Sequence, residues 1–257
     1  MIRLVTRREG LLRRVGTDGL DKRELVEELS VSRSTVDRGI RELESAGLLA
    51  RSADGYHRTL FGELLLTEYD SFASTTEALL TGHELLADLP PGFDLDPTLL
   101  EDAHIVTASQ YAPHQPISAL CSLLTDARWV QTVFPAVFPQ VFGLWSTLDD
   151  EEMIRADIVV TEPVVTKLVS AHSETLQTLL DESRLSVHQV DADPTYGLIV
   201  AEREESATAG LVVLDERGGA RAFIETDAEA AVSWVRERID HHLMQSTPLS
   251  PQSVDGG

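Results

Sequence analysis

The spacing of apolar residues predicts two short amphipathic helices between residues 21 and 46. Apolar positions recur four apart in the first helix and at steps of four and three in the second, so that each helix has one apolar face. Those positions are Leu25, Leu29, Val36, Ile40 and Leu43. Between the helices we expect Ser32 to cap the second helix and Val31 to turn inward. Two helices that close over one small core in this way predict a helix-turn-helix.

The polar face of the second helix predicts a surface that enters the major groove of DNA. An arginine side chain can bond a guanine edge or a phosphate, and serine and threonine hydroxyls bond either kind of oxygen. The usual fate of a single surface arginine is a solvated helix face, but here several cluster on one side. The candidate DNA contacts on this helix and its cap are Ser32, Arg33, Ser34, Thr35, Arg38 and Arg41.

A β-hairpin is predicted directly after this helix. Two short predicted strands, residues 48–51 and 56–58, lie on either side of the dipeptide Asp54-Gly55, which favours a tight turn. A hairpin in this position is the wing of a winged helix, and its basic side chains would reach phosphates or the minor groove. The candidates on the wing are Arg51, His57 and Arg58.

The stretch SVSRSTVDRGIRELESAGLLARSADGYHRT resembles the winged helix-turn-helix transcriptional regulators of archaea and bacteria. Three features carry the resemblance: a Ser-Thr pair before an inward valine, an arginine one turn later, and the exit Leu-Glu-x-x-Gly-Leu. It implies double-stranded DNA as the partner and regulation of transcription as the function. A winged helix that serves only as a protein interface is the alternative.

Charge is distributed unevenly along the 257 residues. Residues 1–60 carry 12 Lys and Arg against 10 Asp and Glu, whereas the remaining residues carry 9 against 33. The second part should repel nucleic acid, so DNA contact is expected only in the first. Lys22 and Lys167 are the only lysines, and a strongly acidic, lysine-poor chain suggests a salt-rich cytoplasm and a haloarchaeal origin.

The sequence also predicts a cytoplasmic protein. Cys121 is the only cysteine, so no disulfide can form within the chain. The first ten residues lack an apolar run long enough for a signal sequence, and no uncharged apolar stretch is long enough to cross a membrane. We therefore expect no membrane partner.

A long helix is predicted over residues 60–89, within a connecting segment that we place at 61–94. Its apolar positions recur at alternating steps of four and three, as in a coiled coil. These positions are Leu65, Tyr69, Phe72, Thr76, Leu79, His83 and Leu86. The pattern covers few heptads and includes polar residues, so it indicates either a homodimer interface or packing against the second lobe. A homodimer is favoured because paired recognition helices read palindromes.

From residue 95 to 244 the pattern changes to strands that alternate with helices, which predicts an α/β lobe with a mixed sheet. The whole chain is thus an α+β protein: a winged helix-turn-helix over 1–60, the connecting helix, the α/β lobe, and a disordered tail over 245–257. Predicted helices include 137–155 and 228–243, the second with a capping box formed by Thr226 and Glu229.

The end of this lobe resembles a second family. The sequence GLVVLD, a hairpin, and a helix with AVSWV are similar to the C-terminal effector domain of archaeal winged-helix regulators named after a methanogenesis-pathway regulator. The resemblance implies a domain that senses a ligand or partner and catalyses nothing. A comparison with phospholipase D-like half-domains fails on one residue, since their chemistry needs a histidine two residues before a lysine and Val165 precedes Lys167.

An effector would be expected in the crevice beyond the carboxyl ends of the strands. That places candidates after the first and third strands of the lobe, with Lys167 available to an acidic ligand. The candidates are Ser109, Gln110, Tyr111, Thr161, Glu162 and Lys167. Alternatively, Thr161 and Glu162 merely start the helix at Pro163.

No cofactor or catalytic group is predicted. The histidines lack metal-ligand spacing, and neither a phosphate-binding glycine loop nor a Gly-x-Ser-x-Gly turn occurs. We therefore predict a dimeric DNA-binding transcriptional regulator, not an enzyme, whose second lobe senses a metabolite or partner. Two alternatives remain: a scaffold that recruits basal transcription factors through the acidic lobe, and an enzyme fused to a DNA-binding head.

Overall fold

The chain divides between Glu77 and Ala78 in the computed structural model. The structure describes residues 1–16, 19–136, 138–147, 155–182, 184–191 and 194–249. The first unit contains three helices, a hairpin and the larger part of a fourth helix. Their bounds are α1 (Ile2–Arg14), α2 (Lys22–Leu29), α3 (Arg33–Ser45), β1 (Leu49–Ser52), β2 (Gly55–Arg58) and α4 (Leu60–Leu86).

The core of the first unit is built from the apolar positions that the sequence pattern singles out. Leu25, Val36, Ile40 and Leu43 are all fully buried, so the apolar faces of α2 and α3 meet as predicted. From α1, Val5, Leu11, Leu12 and Val15 complete this core. The predicted helices and hairpin are therefore present, and the outer face of α3 is left for other contacts.

The turn between α2 and α3 follows the prediction at one end only. The Ser32 hydroxyl accepts a hydrogen bond from the Thr35 backbone N–H at 3.2 Å, which confirms the N-cap. Val31 does not turn inward, since 38% of it is exposed. Ser30 ends α2 with φ +52, so the chain leaves the apolar face of that helix before it reaches Val31.

A third short strand segment joins the hairpin, and the sequence analysis did not predict it. Leu20 N–H donates to the Tyr56 carbonyl at 2.9 Å, and Tyr56 N–H donates back to the Leu20 carbonyl at 3.0 Å. The bridge brings Leu20 so close to Gly55 that a Cβ there would lie 2.5 Å from the Leu20 oxygen. Only glycine fits this position, which has φ +122.

Helix α4 corrects the predicted coiled-coil seam. Leu65 and Tyr69 pack against the core of the first unit, and the Tyr69 hydroxyl lies 3.4 Å from Glu9 Oε2. Farther along, Ala78 and Leu85 are buried in the core of the second unit. The two ends of this helix are therefore buried in different cores, and its use as a dimer interface stays a prediction.

The second unit is an eight-stranded mixed sheet with helices on both faces. Strand order is β10-β6-β5-β4-β7-β8-β9-β3, in which β4, β5 and β6 run parallel and the other neighbours antiparallel. The elements are a 3-10 helix (Pro97–Leu99), β3 (His104–Thr107), α5 (Gln115–Thr125), β4 (Trp129–Phe134), α6 (Pro139–Thr147), β5 (Arg155–Thr161), α7 (Glu162–Asp181), β6 (Leu185–Val190), β7 (Tyr196–Glu202), β8 (Ala207–Leu214), β9 (Ala220–Thr226), α8 (Glu229–Met244) and β10 (Thr247–Pro248).

Continuous apolar strands explain why both faces of the sheet are covered. Along β7, Leu198 and Val200 face one core while Ile199 and Ala201 face the other, because successive side chains of a strand point to opposite faces. Helices α5, α6 and α7 cover the face of Ile199 and Ala201, and α8 covers the face of Leu198 and Val200. The predicted α+β class with a mixed sheet is confirmed.

Three predictions in this unit need correction. Helix α8 begins after Ala228, where Thr226 Oγ1 accepts from Ala228 N–H at 3.2 Å, so Thr226 and Glu229 form no capping box. The tail is ordered over residues 245–249, since β10 pairs with β6; residues 250–257 lie outside the described residues. The helix predicted over 137–155 ends at Thr147 and Arg155 opens β5, while residues 137 and 148–154 are not described.

Candidate nucleic-acid interface

The outward face of α3 presents four of the predicted DNA contacts to solvent. Arg33, Ser34, Arg38 and Arg41 are all exposed, whereas Val36 and Ile40 lie underneath in the core. Successive residues of a helix are rotated by about 100°. Ser34, Arg38 and Arg41 therefore lie near the middle of the face, and Arg33 lies toward one edge.

A cluster of three hydroxyls marks the start of α3. Ser32 Oγ lies 2.9 Å from Ser34 Oγ and 2.8 Å from Thr35 Oγ1, in addition to its bond from the Thr35 N–H. Ser32 is therefore occupied as the helix cap. Ser34 and Thr35 are exposed and each has further hydrogen-bonding capacity, so they can reach phosphate or base oxygens.

The arginines of α3 differ in how far carboxylates neutralise them. Arg38 Nε donates to Glu42 Oε1 at 3.0 Å, and Arg7 and Arg8 from α1 donate to the other oxygen of Glu42 at 3.1 and 2.9 Å. The bonds from Arg8 and Arg38 lower the pKa of Glu42 to about 2. Among the described residues, Arg33 and Arg41 take part in no ion pair with a carboxylate.

A second ion pair fixes the N-terminal half of α3. Lys22 Nζ donates to Asp37 Oδ1 at 2.7 Å, and the bond lowers the pKa of Asp37 and raises that of Lys22. Arg33 and Arg41 add a smaller attraction that lowers the pKa of Asp37 further. Lys22 thereby joins α2 to α3 and holds the side chain of Asp37 on this side of the helix.

On the hairpin, the three predicted contacts are not equally accessible. Arg51 is exposed, with its guanidinium carbon 6.0 Å from the centre of the Tyr56 ring. His57 and Arg58 are half-buried, and Arg58 Nε is buried without a hydrogen-bond partner among the described residues. Arg51 is the hairpin residue best placed to reach a phosphate.

A groove between the start of α3 and the hairpin brings basic residues of three elements together. About 1000 Å³ of its space is free of protein atoms, and part of that volume is open solvent. Its basic lining residues are Lys22, Arg23, Arg33 and Arg51. Arg23 was not among the predicted DNA contacts, although its position beside Lys22 at the start of α2 could have indicated it.

The arginines of α1 are engaged within the first unit. Arg13 bonds Asp70 and Glu9, of which the bond to Asp70 contributes most to raising the pKa of Arg13. Arg14 pairs with Glu28. The guanidinium groups of Arg13 and Arg14 are therefore less available for DNA.

The six predicted effector residues do not form one site. Ser109 Oγ accepts from the Ala112 N–H in a turn after β3, Gln110 is exposed, and Tyr111 is 92% exposed. Thr161 is buried at the end of β5, while Glu162 and Lys167 are exposed. Four strands separate β3 from β5 in the sheet, which is about 24 Å at the usual strand spacing.

The described residues contain neither a metal-binding cluster nor a membrane-spanning helix. No group of three or more His, Cys, Asp and Glu side chains there is placed to hold a metal ion. Within the same residues, no helix has both the length and the apolar character needed to cross a membrane.

Solved structures with a similar arrangement have low sequence identity to this chain. TrmBL2, an archaeal chromatin protein with a novel mode of DNA binding, is 13% identical with a TM-score of 0.43, over 90% of this chain and 88% of its own. NucT from Helicobacter pylori is 10% identical with a TM-score of 0.40, and the phospholipase D family member Nuc from Salmonella typhimurium is 8% identical with 0.42. Each covers 57% of this chain and 98% of its own.

Two family models match the chain, one in each unit. The N-terminal domain of HVO_A0261 matches residues 2–80, and the middle domain of the methanogenesis regulatory protein FilR1 matches residues 113–245. No curated protein sequence is similar enough to count as a relative. Since the second match alone spans just over half of the sequence, the chain belongs to the family of regulators defined by the FilR1 middle domain.

Proposed function

We propose that the protein is a sequence-specific, DNA-binding transcription regulator whose first unit is a winged helix-turn-helix. In this proposal α3 is the recognition helix and the β1–β2 hairpin is the wing. One observation carries it: Arg33 and Arg41 stand on the exposed face of α3, and neither forms an ion pair with a carboxylate among the described residues. The regulatory family to which the chain belongs supports the same function.

The chemistry of this surface suits duplex DNA. Arg41 and Ser34, near the middle of the face, are placed to meet base edges, because a recognition helix inserts its exposed face into the major groove. Arg23, Arg33 and Arg51 around the adjacent groove would hold phosphates on either side.

The charge of the rest of the chain confines DNA to this surface. Residues 61–257 carry 9 basic and 33 acidic side chains, so that part of the chain repels phosphate. DNA is therefore expected to bind the first unit alone.

We further propose that the regulator acts as a homodimer through the apolar face of α4. Within the first unit, Phe61, Leu64 and Phe72 are at least half exposed on one side of that helix. Phe61 and Phe72 are about three turns apart, so the two rings point in the same direction. An apolar stripe of this kind is suited to a second copy of the same helix, since an isologous contact uses the same surface patch on both subunits.

The function can be tested by selecting duplexes from a random pool with the full chain and sequencing those that are retained. We expect a palindromic motif with half-sites about 10 base pairs apart, because two heads of a dimer face one side of the duplex. The double variant Arg33→Ala/Arg41→Ala should enrich no motif. A parent protein that enriches no motif, or a double variant that enriches the same one, would contradict the proposal.

The second unit is proposed to sense a small molecule. The carboxyl ends of its parallel strands β4, β5 and β6 lie at the edge where open α/β sheets bind ligands. At the ends of β4 and β5 the described side chains around a small depression are apolar.

A further inference from the structure

A carboxylate stands between Arg33 and Arg41 on α3. Arg33, Asp37 and Arg41 follow one another at steps of four, so their side chains form one row along the helix. The Asp37 side chain is 35% exposed, whereas the neighbouring Val36 is fully buried. A duplex that contacts both arginines therefore passes over the Asp37 carboxylate.

The Asp37 carboxylate is held by a lysine that is itself held in place. Lys22 Nζ donates to Asp37 Oδ1 at 2.7 Å and lies 5.5 Å from the centre of the Tyr56 ring on the hairpin. The bond to Lys22 lowers the pKa of Asp37, so the carboxylate is ionised at neutral pH and can only accept hydrogen bonds. Among the described contacts, Oδ2 of Asp37 accepts from no side chain and stays available.

An ionised carboxylate distinguishes the four bases by their hydrogen-bond donors in the major groove. Cytosine presents an amino group there, which a carboxylate oxygen accepts from. Guanine presents two acceptors and thymine an acceptor and a methyl group, so both repel a carboxylate or offer it no bond. The amino group of adenine stands beside the acceptor N7, which faces the second carboxylate oxygen. Cytosine is therefore the base that this group selects.

We propose that Asp37 is a specificity-determining residue whose Oδ2 accepts a hydrogen bond from the amino group of a cytosine in the major groove. This inference rests on the proposed function of α3 as the recognition helix. Lys22 is a positioning residue, because its bond to Oδ1 fixes the orientation of the carboxylate before DNA arrives. Since phosphates repel the carboxylate, Asp37 lowers the affinity for duplexes that lack the cytosine.

The dimensions of the helix limit where the cytosine lies. Residues four apart in an α-helix are separated by about 6 Å along its axis, and successive base pairs by about 3.4 Å. Asp37 and Arg41 are therefore about two base pairs apart on the duplex. Because arginine in the major groove most often contacts guanine, each half-site is expected to contain a guanine and a cytosine within about two base pairs of each other.

The proposal is tested by repeating the duplex selection with the full-length Asp37→Ala and Asp37→Asn variants. The parent should enrich a motif with a fixed cytosine in each half-site. Asp37→Ala should enrich the same motif with any base at that position, and Asp37→Asn should prefer adenine there, because a side-chain amide pairs with N6 and N7 of adenine. In direct binding, replacing the C·G pair by T·A should weaken the parent by at least about fivefold and Asp37→Ala by less than about twofold.

Two further variants separate base reading from charge and from positioning. Glu44→Ala removes an exposed carboxylate of the same helix that takes part in no described ion pair. It should raise the affinity for all duplexes alike and leave the motif unchanged. Lys22→Met should weaken the preference for cytosine at the same position and at no other. If Asp37→Ala does not fold, Asp37→Asn, which keeps an oxygen for Lys22, still decides the question.

The failure of this inference differs from the failure of the proposed function. A parent motif that Asp37→Ala enriches with its cytosine unchanged would overturn the inference and leave the regulator intact. An affinity loss in Asp37→Ala that is equal for all duplexes would do the same, since the carboxylate would then serve only to join α2 to α3. A parent protein that enriches no motif would refute the regulator and this inference together.

Discussion

Single residues on the face of α3 are distinguished by their ion pairs more than by their exposure. Arg38 and Arg41 are both exposed, but Arg38 shares Glu42 with Arg7 and Arg8. To reach DNA, Arg38 must first give up a charge-assisted bond that is already made. Arg41 bonds only the backbone carbonyl of Asp37, at 3.2 Å, and can leave it at small cost.

This difference gives a prediction for two alanine variants. Arg41→Ala should weaken binding to the selected duplex by about 1–3 kcal/mol, as expected for an arginine that contacts a base edge. Arg38→Ala should cost less, because part of its interaction with DNA is offset by its bond to Glu42. Fluorescence anisotropy measures both affinities, and thermal unfolding shows whether either variant is destabilised. A larger loss of DNA affinity for Arg38→Ala than for Arg41→Ala would contradict this prediction.

At the scale of elements, two ion-pair clusters hold α3 in place. One places the carboxylate of Glu42 among arginines of α1 and α3, and the other joins Lys22 of α2 to Asp37. Both clusters link α3 to a neighbouring helix. The orientation of α3 therefore depends on charge as well as on its apolar face.

The Glu42 cluster should make the stability of the first unit depend on pH. The pKa of Glu42 is lowered to about 2, so the unfolded chain binds its proton more readily than the folded one. The stabilisation is fully present above its ordinary pKa of 4.5 and is lost as the pH falls toward 2. Glu42→Gln should lower the unfolding temperature at pH 7, and the difference from the parent should narrow between pH 4.5 and pH 3.

A matched control for this measurement is Glu44→Gln. Glu44 is an exposed carboxylate on the same helix and takes part in no described ion pair. Its substitution should change the unfolding temperature little at any pH. A deficit of Glu42→Gln that stays constant down to pH 3 would show that its ion pairs do not supply the stability.

The exposed apolar side of α4 gives a prediction about assembly. Phe72→Glu places a charge in the proposed apolar interface, where it would lose its water without gaining a partner. We expect the variant to remain folded and to become monomeric in light scattering, with weaker binding to a palindromic duplex. Ala73→Glu, exposed on another side of the helix, should leave the dimer intact. A monomeric parent, or a dimeric Phe72→Glu variant, would rule out this interface.

For the molecule as a whole, net charge is the dominant property. The chain carries a formal net charge of −22, most of it beyond residue 60. Repulsion among these carboxylates opposes the compact state, and salt screens it over about 3 Å at 1 M. We therefore expect the unfolding temperature to rise as KCl is increased from 0.1 to 2 M, as in a protein adapted to a salt-rich cytoplasm. An unfolding temperature that falls over this range would argue against that adaptation.

How much could be predicted from sequence depended on the range of the interactions. The start of α3 and the hairpin were predicted because they rest on local signals, namely the Ser32 cap and the Asp54-Gly55 turn. The bridge from Leu20 to Tyr56 joins residues 36 apart and leaves no periodic trace. The strand pairing of Thr247 and Pro248 was missed for the same reason, since two residues are too few to show a period.

The candidate sites show the same division. The exposed face of α3 follows from the helical period, so its residues were predicted correctly as a surface. The ion pairs of this face were not predicted, because Glu42 is bound by Arg8, which lies 34 residues away in sequence.

The most direct test of the regulator is the affinity of the full chain for its selected duplex, measured for the parent, for Arg33→Ala/Arg41→Ala and for Arg217→Ala. Arg217 is an exposed arginine of the second unit and serves as the control for loss of one positive charge. We predict that the double variant loses at least about 2 kcal/mol of binding free energy while the control binds as the parent does. Equal affinities for all three proteins would contradict the assignment of α3 as the recognition helix.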